Sequence, residues 1–501
     1  MWRIDLQMIS PLRRRKPFIT MVVLASVAGA AGTTAVWQLT EKETGQARLH
    51  AQLGTLLHDP RLKVAHVGAE VRDVRTGKLL FTKDAGKALV PGSNQKLLTT
   101  AAALDVLGSD YRFSTRVLAT ARPGRRIKGD LYLQGTGDPS IRQSDYDALA
   151  GQLASAGIRE ITGNLVADDT WFDDQRLGSD WLVGDESSYE QAQISALTVS
   201  SDSDHDAGSV MVEVDPGRRH PEVRLAADPG NFFTVVNRVV RGQGPSDIVV
   251  RRERGGNTIV VTGTMAAGAP QLRKPVSVWD PTAYAAALFR KALTGHGIRL
   301  DGSITRRATP PGAHRLASHE SPPLSSLVVP LLKRSNSTMA ETLVKAMGEQ
   351  VSHQGTWPAG LAAVSKFLTG MGVNGLRLRD GSGLSSLNAV SPRQITSLLV
   401  SAGSKPWFRT WYDALPVSGN PDRMMGGTLA DRMRSGPAAG RVHAKTGTLT
   451  GVSCLSGYVT GSRGRHLAFA LMINGLLTEP PTALEDAFVG RLAASTAELE
   501  S

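Results

Sequence analysis

The chain has 501 residues, 41% hydrophobic and 20% charged, which reads as a globular protein of two or three domains. Lys and Arg outnumber Asp and Glu by 57 to 45, a net charge of +12, but the arginines are scattered and only 5% of residues are aromatic. That composition speaks against a base-stacking surface and nucleic acid as a partner, and the single cysteine, Cys454, rules out an intrachain disulfide framework.

Arg13-Arg14-Arg15-Lys16 precedes Phe18–Leu39, an uncharged and mostly apolar run. It exceeds the roughly 20 residues that cross a bilayer. Positive charge in front keeps the N-terminus inside and sends the chain after Thr40 outside. Residues 1–45 are therefore expected to be a cytoplasmic basic tail with a membrane anchor, or a signal cleaved near Ala28-Gly29-Ala30. The length of the run favours the anchor. A polar spacer and a short helix follow, and His66–Phe81 is predicted to be a hairpin turning at Arg75-Thr76-Gly77-Lys78.

Ser93-Asn-Gln-Lys96, the one Ser-x-x-Lys of the chain, opens a predicted helix with Leu97, Ala101, Leu104 and Leu107 at helical spacing and a stop at Gly108. Three residues are nearly one turn, so the Lys96 amine can lie beside the Ser93 hydroxyl and act as its base.

Residues 113–310 change to short strands and Gly/Pro turns. Within them Leu153-Ala-Ser-Ala-Gly-Ile-Arg echoes Leu293-Thr-Gly-His-Gly-Ile-Arg, each a helix end, a Gly turn and a strand start. The two copies are expected to be halves of one α/β unit, with 200–265 as a strand-rich lobe. Ser201-Asp-Ser-Asp-His205-Asp206 holds ligand-type residues but is expected to be a solvated acidic loop, with no metal.

After about residue 315 helices return. Thr338-Met-Ala-Glu341 is predicted to be a capping box heading a helix through Met347, and Leu361, Val364, Leu368 and Met371 mark another. Gly440–Gly475 is predicted to hold three strands with turns at Gly447 and at Gly461–Gly464. Cys454 reads as a small buried hydrophobe within them, and a helix with Leu484, Phe488 and Leu492 ends the fold. Strands near both chain ends imply that residues 46–112 and 311–495 join as one α/β domain around the 113–310 insert. Lys445-Thr446-Gly447-Thr448, the one Lys-Thr-Gly, sits on a predicted edge strand. There a glycine allows close approach of a peptide, and the lysine offers a cation to a carboxylate.

Ser-x-x-Lys at a helix start paired with Lys-Thr-Gly on a late strand resembles the penicillin-recognising serine enzymes. Pro91-Gly-Ser-Asn-Gln-Lys96, Gly135-Thr-Gly-Asp-Pro139, Asp380-Gly-Ser-Gly-Leu-Ser385 with Ser391-Pro392, and His443-Ala-Lys-Thr-Gly-Thr448 extend the match. Over residues 50–495 the chain resembles the D-alanyl-D-alanine carboxypeptidase/endopeptidase family, the class C low-molecular-mass penicillin-binding proteins.

The resemblance implies an α/β (α+β) fold: a penicillin-binding, β-lactamase-like transpeptidase domain with an antiparallel sheet and helices, interrupted by a long insert. It implies an exported serine peptidase acting on peptidoglycan stem peptides ending in D-Ala-D-Ala, with β-lactam antibiotics as covalent inhibitors and no cofactor. Ser93 would be the nucleophile and Lys96 its base. Ser335 would relay the proton with Lys445, and Thr446, Gly447 and Thr448 would hold the substrate. The family's Ser-x-Asn corresponds to Ser335-Asn336-Ser337, so the asparagine's work falls to Ser337 or Asn336. Literal Ser-x-Asn occurs at Ser386-Leu-Asn388 and Ser418-Gly-Asn420, outside the expected helical setting. The alternatives are a serine β-lactamase-like hydrolase, disfavoured because no Glu-x-x-Leu-Asn is present, and a catalytically weakened cell-wall binding protein, suggested by Ser337.

Overall fold

Strands from both ends of the chain meet in one antiparallel sheet in the computed structural model, which describes residues 45–495 except 123, 462 and 463. β1 (His66–Asp73) and β2 (Leu79–Lys83) form the predicted hairpin. β3 (Val442–Leu449), β4 (Val452–Thr460) and β5 (His466–Asn474) follow in the last third. The order is β3-β4-β5-β1-β2, which leaves β3 on the edge.

β5 is apolar from Leu467 to Ile473 because both faces of the sheet are covered. Leu467, Phe469, Leu471 and Ile473 share a cluster with Leu49 and Leu53 of a first helix, α1 (45–56), and with Leu484 and Phe488 of a C-terminal helix, Thr482–Ser495. Ala468, Ala470 and Met472 alternate onto the opposite face, in a cluster with Cys454 and residues of five further helices. Those helices are α2 (Gln95–Val106), α3 (Leu324–Arg334), α4 (Ser337–Ser352), α5 (Trp357–Gly370) and α6 (Pro392–Ala402). α2 is buried from Gln95 to Leu104, so its polar residues must find partners inside the protein.

Between α2 and α3 the chain builds a second five-stranded sheet in the order Ile304–Arg306, Leu165–Asp168, Leu131–Gly135, Ser114–Ala119, His314–Glu320. The two similar segments lie side by side and parallel, with Leu165 opposite Ile304 in this sheet and Glu160 opposite Arg299 in a small three-stranded sheet with Arg126–Ile127. Two three-stranded sheets lie within 209–277.

Three local expectations differ from the structure. Gly447 does not turn the chain: it lies inside β3, opposite Cys454, and the β3–β4 turn falls at 450–451. The Thr338–Glu341 capping box is absent because α4 begins earlier. Asn336 is the N-cap, its side chain accepting from Met339 N, and Glu341 faces inward. The 201–206 segment is not a solvated loop: Asp204 is 7% exposed and its carboxylate meets Arg334 and Arg423. The apolar run Phe18–Leu39 and its basic flank lie outside the described residues, and among those described no helix is long and apolar enough to cross a membrane.

Phe469→Ala, which empties the centre of the sheet, is expected to cost about 3–5 kcal/mol in chemical denaturation. Leu477→Ala, at a site 84% exposed, should change stability by less than about 0.5 kcal/mol.

Candidate active site

Ser93 sits on the 3-10 turn Gly92–Asn94, immediately before α2, and Lys96 in the first turn of α2. The Lys96 side chain is fully buried. Its Nζ lies 3.0 Å from Ser93 Oγ, 3.2 Å from Ser337 Oγ and 2.8 Å from the Ser382 carbonyl oxygen. A carbonyl only accepts, so one N–H must point at Ser382. The Ser337 hydroxyl can accept a second. A neutral amine then has its lone pair left for the Ser93 O–H. Burial pulls the Lys96 pKa down to about 8, against the opposing pull of Glu190, Glu341 and Asp380, so the neutral amine is accessible near physiological pH.

Lys445 is the second buried lysine of the site. Its Nζ donates to Ser335 Oγ at 2.9 Å and to the Thr446 carbonyl at 2.8 Å. Burial, and then the charge of Lys96, push its pKa well below the ordinary lysine range. Ser335 ends α3 in the left-handed region (φ 60°), a strained conformation for a non-glycine residue that costs of order 1 kcal/mol. This reversal is what lets one short connection send Ser335 to Lys445 and Ser337 to Lys96.

β3 closes the other side. A Cβ on Gly447 would lie 2.6 Å from the Pro91 carbonyl oxygen and 3.0 Å from Ser93 N, so only glycine lets the strand pass the Ser93 turn at this distance. Thr448 is exposed at the rim, and Thr446 Oγ1 lies 2.9 Å from Thr428 Oγ1.

The structure thus brings together Ser93, Lys96, Ser335, Ser337, Lys445 and Gly447, with Thr446 and Thr448 beside them on β3. Asn336 is a correction. Its Nδ2 donates to the carbonyls of Asp204 and His205 and to Asp206 Oδ1, while its Oδ1 accepts from Met339 N and Thr338 Oγ1. Every polar atom of that amide is engaged away from Lys96. The literal Ser-x-Asn asparagines serve local turns: Asn388 binds Asp380 and Ser385, and Asn420 accepts from Asp422 N. Asp138 of the Gly135–Pro139 motif binds Ser140 and faces His319, within the 113–310 region.

Sequence reasoning missed three contributors. Tyr189, Glu190, Asp204 and Asp206 of the insert share a small polar cleft with Arg334, Ser335 and Ser337. Burial, with Asp202 and Glu190 nearby, pushes the Asp206 pKa up to about 7. Ser382 supplies a carbonyl to Lys96, a role the Asp380–Ser385 motif signalled without revealing. Glu341, one turn beyond Ser337 on the same face of α4, holds the Gly381 and Ser382 N–H groups. Among the described residues no group of His, Cys, Asp and Glu is arranged to hold a metal ion.

Asn336→Ala removes the α4 cap and the ties to residues 204–206. It is expected to destabilise the protein by about 1–2 kcal/mol, read as a lowered thermal unfolding midpoint.

Residues 49–495 match the model of the D-Ala-D-Ala carboxypeptidase 3 (S13) family. The chain is 43% identical over 487 residues to a D-alanyl-D-alanine carboxypeptidase of Actinomadura sp. (strain R39), covering 95% of this chain and 89% of that protein. It is 27% identical to the D-alanyl-D-alanine carboxypeptidase DacB of Haemophilus influenzae, over 83% of this chain and 86% of that one. The fold is similar to the crystal structure of penicillin binding protein 4 (dacB) from H. influenzae, with a TM-score of 0.75 at 26% identity, covering 88% of this chain and 98% of that one. A structure of that protein complexed with a β-lactam gives 0.70 at 25% identity. With nearly its whole described length matched, the chain belongs to the D-Ala-D-Ala carboxypeptidase 3 (S13) family of serine-type peptidases.

Proposed function

We propose that the chain is an exported serine D-alanyl-D-alanine carboxypeptidase that trims peptidoglycan stem peptides through an acyl-enzyme and is acylated by penicillins. The observation that carries this is the Lys96 amine, buried 3.0 Å from Ser93 Oγ with Ser337 Oγ and the Ser382 carbonyl placed to accept its N–H groups. The relatives named above as carboxypeptidases, and the structure with a bound β-lactam, support the substrate and inhibitor classes.

Ser93 Oγ attacks the carbonyl carbon of the penultimate D-Ala while its proton passes to Lys96. The N–H groups of Ser93 and Thr448 receive the developing oxyanion. The Ser335 hydroxyl hands a proton to the leaving D-Ala amine and is resupplied through the Lys445–Lys96 side of the site. Lys445 is surrounded by neutral acceptors in the free enzyme, so the terminal carboxylate of the substrate is its natural counter-ion; Thr446 and Thr448 add hydroxyl donors. Binding the anion restores the charge that burial disfavours. Water then releases the acyl group. A β-lactam follows the same first step, but its opened ring keeps the leaving nitrogen attached.

Ser337 is the observation behind the reading of a weakened cell-wall binding protein. Its hydroxyl still takes a Lys96 N–H, but it offers the substrate one donor where an asparagine amide offers two. Lys96 therefore keeps its orientation, and the loss falls on substrate holding.

Residues 46–112 and 311–495 carry this chemistry, and 113–310 supplies the Tyr189–Glu190 and 202–206 wall. Family membership supports work outside the cytoplasm, and Phe18–Leu39 would hold the enzyme at the membrane surface as a retained anchor.

Fluorescent penicillin should label the protein, and Ser93→Ala should abolish both labelling and release of D-Ala; a labelled or active Ser93→Ala protein would remove Ser93 from the role. Because the base is neutral Lys96, whose pKa lies near 8, the acylation rate should rise as pH increases through about 8 and then level off. A rate that falls over that interval would exclude Lys96 as the base.

A further inference from the structure

The Asp380–Ser385 turn enters the mechanism only through the Ser382 carbonyl, yet it is held far more completely than that contact needs. Glu341 Oε1 accepts from Ser382 N at 2.7 Å and Gly381 N at 3.1 Å, and Oε2 accepts from Gly381 N at 3.0 Å. From the opposite side, Thr99 Oγ1 donates to the Gly381 carbonyl at 2.7 Å, and Lys96 Nζ to the Ser382 carbonyl at 2.8 Å. All four backbone polar groups of two successive residues are thus taken, the N–H groups by α4 and the carbonyls by α2. Asp380 fixes the flank: its oxygens accept from Gly383 N, Ser385 N, Asn388 Nδ2 and, from the insert, Trp181 Nε1. Gly383, at φ +88°, closes the turn where a Cβ would lie 1.9 Å from the Gly92 carbonyl oxygen.

We propose that Glu341 is a positioning residue for the reaction: by clamping the Gly381 and Ser382 N–H groups it aims the Ser382 carbonyl at Lys96 and thereby directs the Lys96 lone pair at Ser93. The inference rests on the function proposed above and deepens it. Ser337 and Glu341 stand one turn apart on α4, the first touching Lys96 directly and the second through one peptide. Hydrogen bonds in series polarise one another, so a carboxylate on the N–H side strengthens the carbonyl as an acceptor on the other. Both Glu341 oxygens meet only donors, since Oε2 also accepts from Trp357 Nε1 at 2.7 Å. A proton on the carboxyl would find no acceptor there, which suits the anion, while burial and the neighbouring Asp380 push its pKa up to about 7. The charged groups facing it are Asp380 on the turn, Lys96 on α2 and Lys345 one turn further along α4.

The test is the kinetics of penicillin acylation, resolved into a binding constant and a first-order acylation constant across pH, on the full chain. Glu341→Gln keeps the shape, and its Oε1 can still accept the two backbone N–H groups, but its NH2 then faces the Trp357 N–H and also lies near the Gly381 N–H, donor against donor. The first-order constant is expected to fall about 10- to 100-fold with the binding constant unchanged. The lower-pH limb should move to lower pH, because Lys96 loses a carboxylate that stabilises its charged form. Adding Trp357→Phe removes the closer of the two opposing donors and should restore part of the rate. Thermal unfolding and active-site titration of each variant count the folded protein.

A wild-type rate and pH limb in Glu341→Gln overturns the assignment. So does a loss confined to binding or proportional to folded protein, or a double variant no faster than the single one. Failure of the wild-type chain to be acylated at Ser93 would instead overturn the function on which the inference rests.

Discussion

Lys96 has its amine enclosed by the start of α2, the start of α4 and the Asp380–Ser385 turn, and each hydrogen-bond partner it has there is a hydroxyl or a carbonyl. Burying an ammonium group without a carboxylate in contact is costly, and the ordinary response of a protein is to pair it or to lose the proton. Lys345 shows the first solution: it is buried against Asp173 and the face of Trp357, and the Asp173 charge opposes the burial that lowers its pKa. Lys96 and Lys445 show the second. Their nearest oxygens are neutral, and their pKa values are driven down by burial. The chemistry follows from that difference, because a neutral amine beside a serine hydroxyl is a base.

The remainder of the fold serves to hold that environment dry and fixed. β3 must run along the Ser93 turn at a distance only glycine permits, which requires a rigid strand, and the sheet provides rigidity by burying β4 and β5 between two apolar layers. The strained reversal at Ser335 is tolerated because α3 and α4 are anchored in the same core and because Asn336 caps α4 with a satisfied amide. The insert contributes as a wall: Asn336 grips the backbone at 204–205, and Trp181 reaches Asp380. A region remote in sequence therefore steadies both sides of Lys96.

Ser337 illustrates how a departure from a family pattern can leave one function and weaken another. A hydroxyl and an amide oxygen are equally able to accept an N–H from Lys96, so the base keeps its orientation. They differ in what they can donate to a substrate. On the proposed mechanism, activation of Ser93, served by the carbonyl and hydroxyl around Lys96, is separate from recognition of the peptide, which would lean more on β3 and on Lys445.

Much of this was legible in the sequence where the physics is local. Ser93 and Lys96 are nearly one helical turn apart, so their contact follows from α-helical geometry. Lys445-Thr446-Gly447 marks an edge strand that a peptide can approach closely. The sequence also indicated that the chain ends join around an insert. What local pattern could not decide was direction. Asn336 and Ser337 are adjacent and both polar, and only the reversal at Ser335 determines which of them faces Lys96. Glu341 has the spacing of a capping residue from Thr338, but the true cap at Asn336 leaves its carboxylate free to turn inward to a peptide 41 residues away. Gly447 reads as a turn until the neighbouring Ser93 backbone explains why a strand needs it. The acidic 201–206 segment reads as solvated until two arginines and an asparagine from other parts of the chain cover it. In each case the deciding partner is distant in sequence and close only after packing, which is why the contact of Ser93 with Lys96 was evident from the chain alone and the groups that surround it were not.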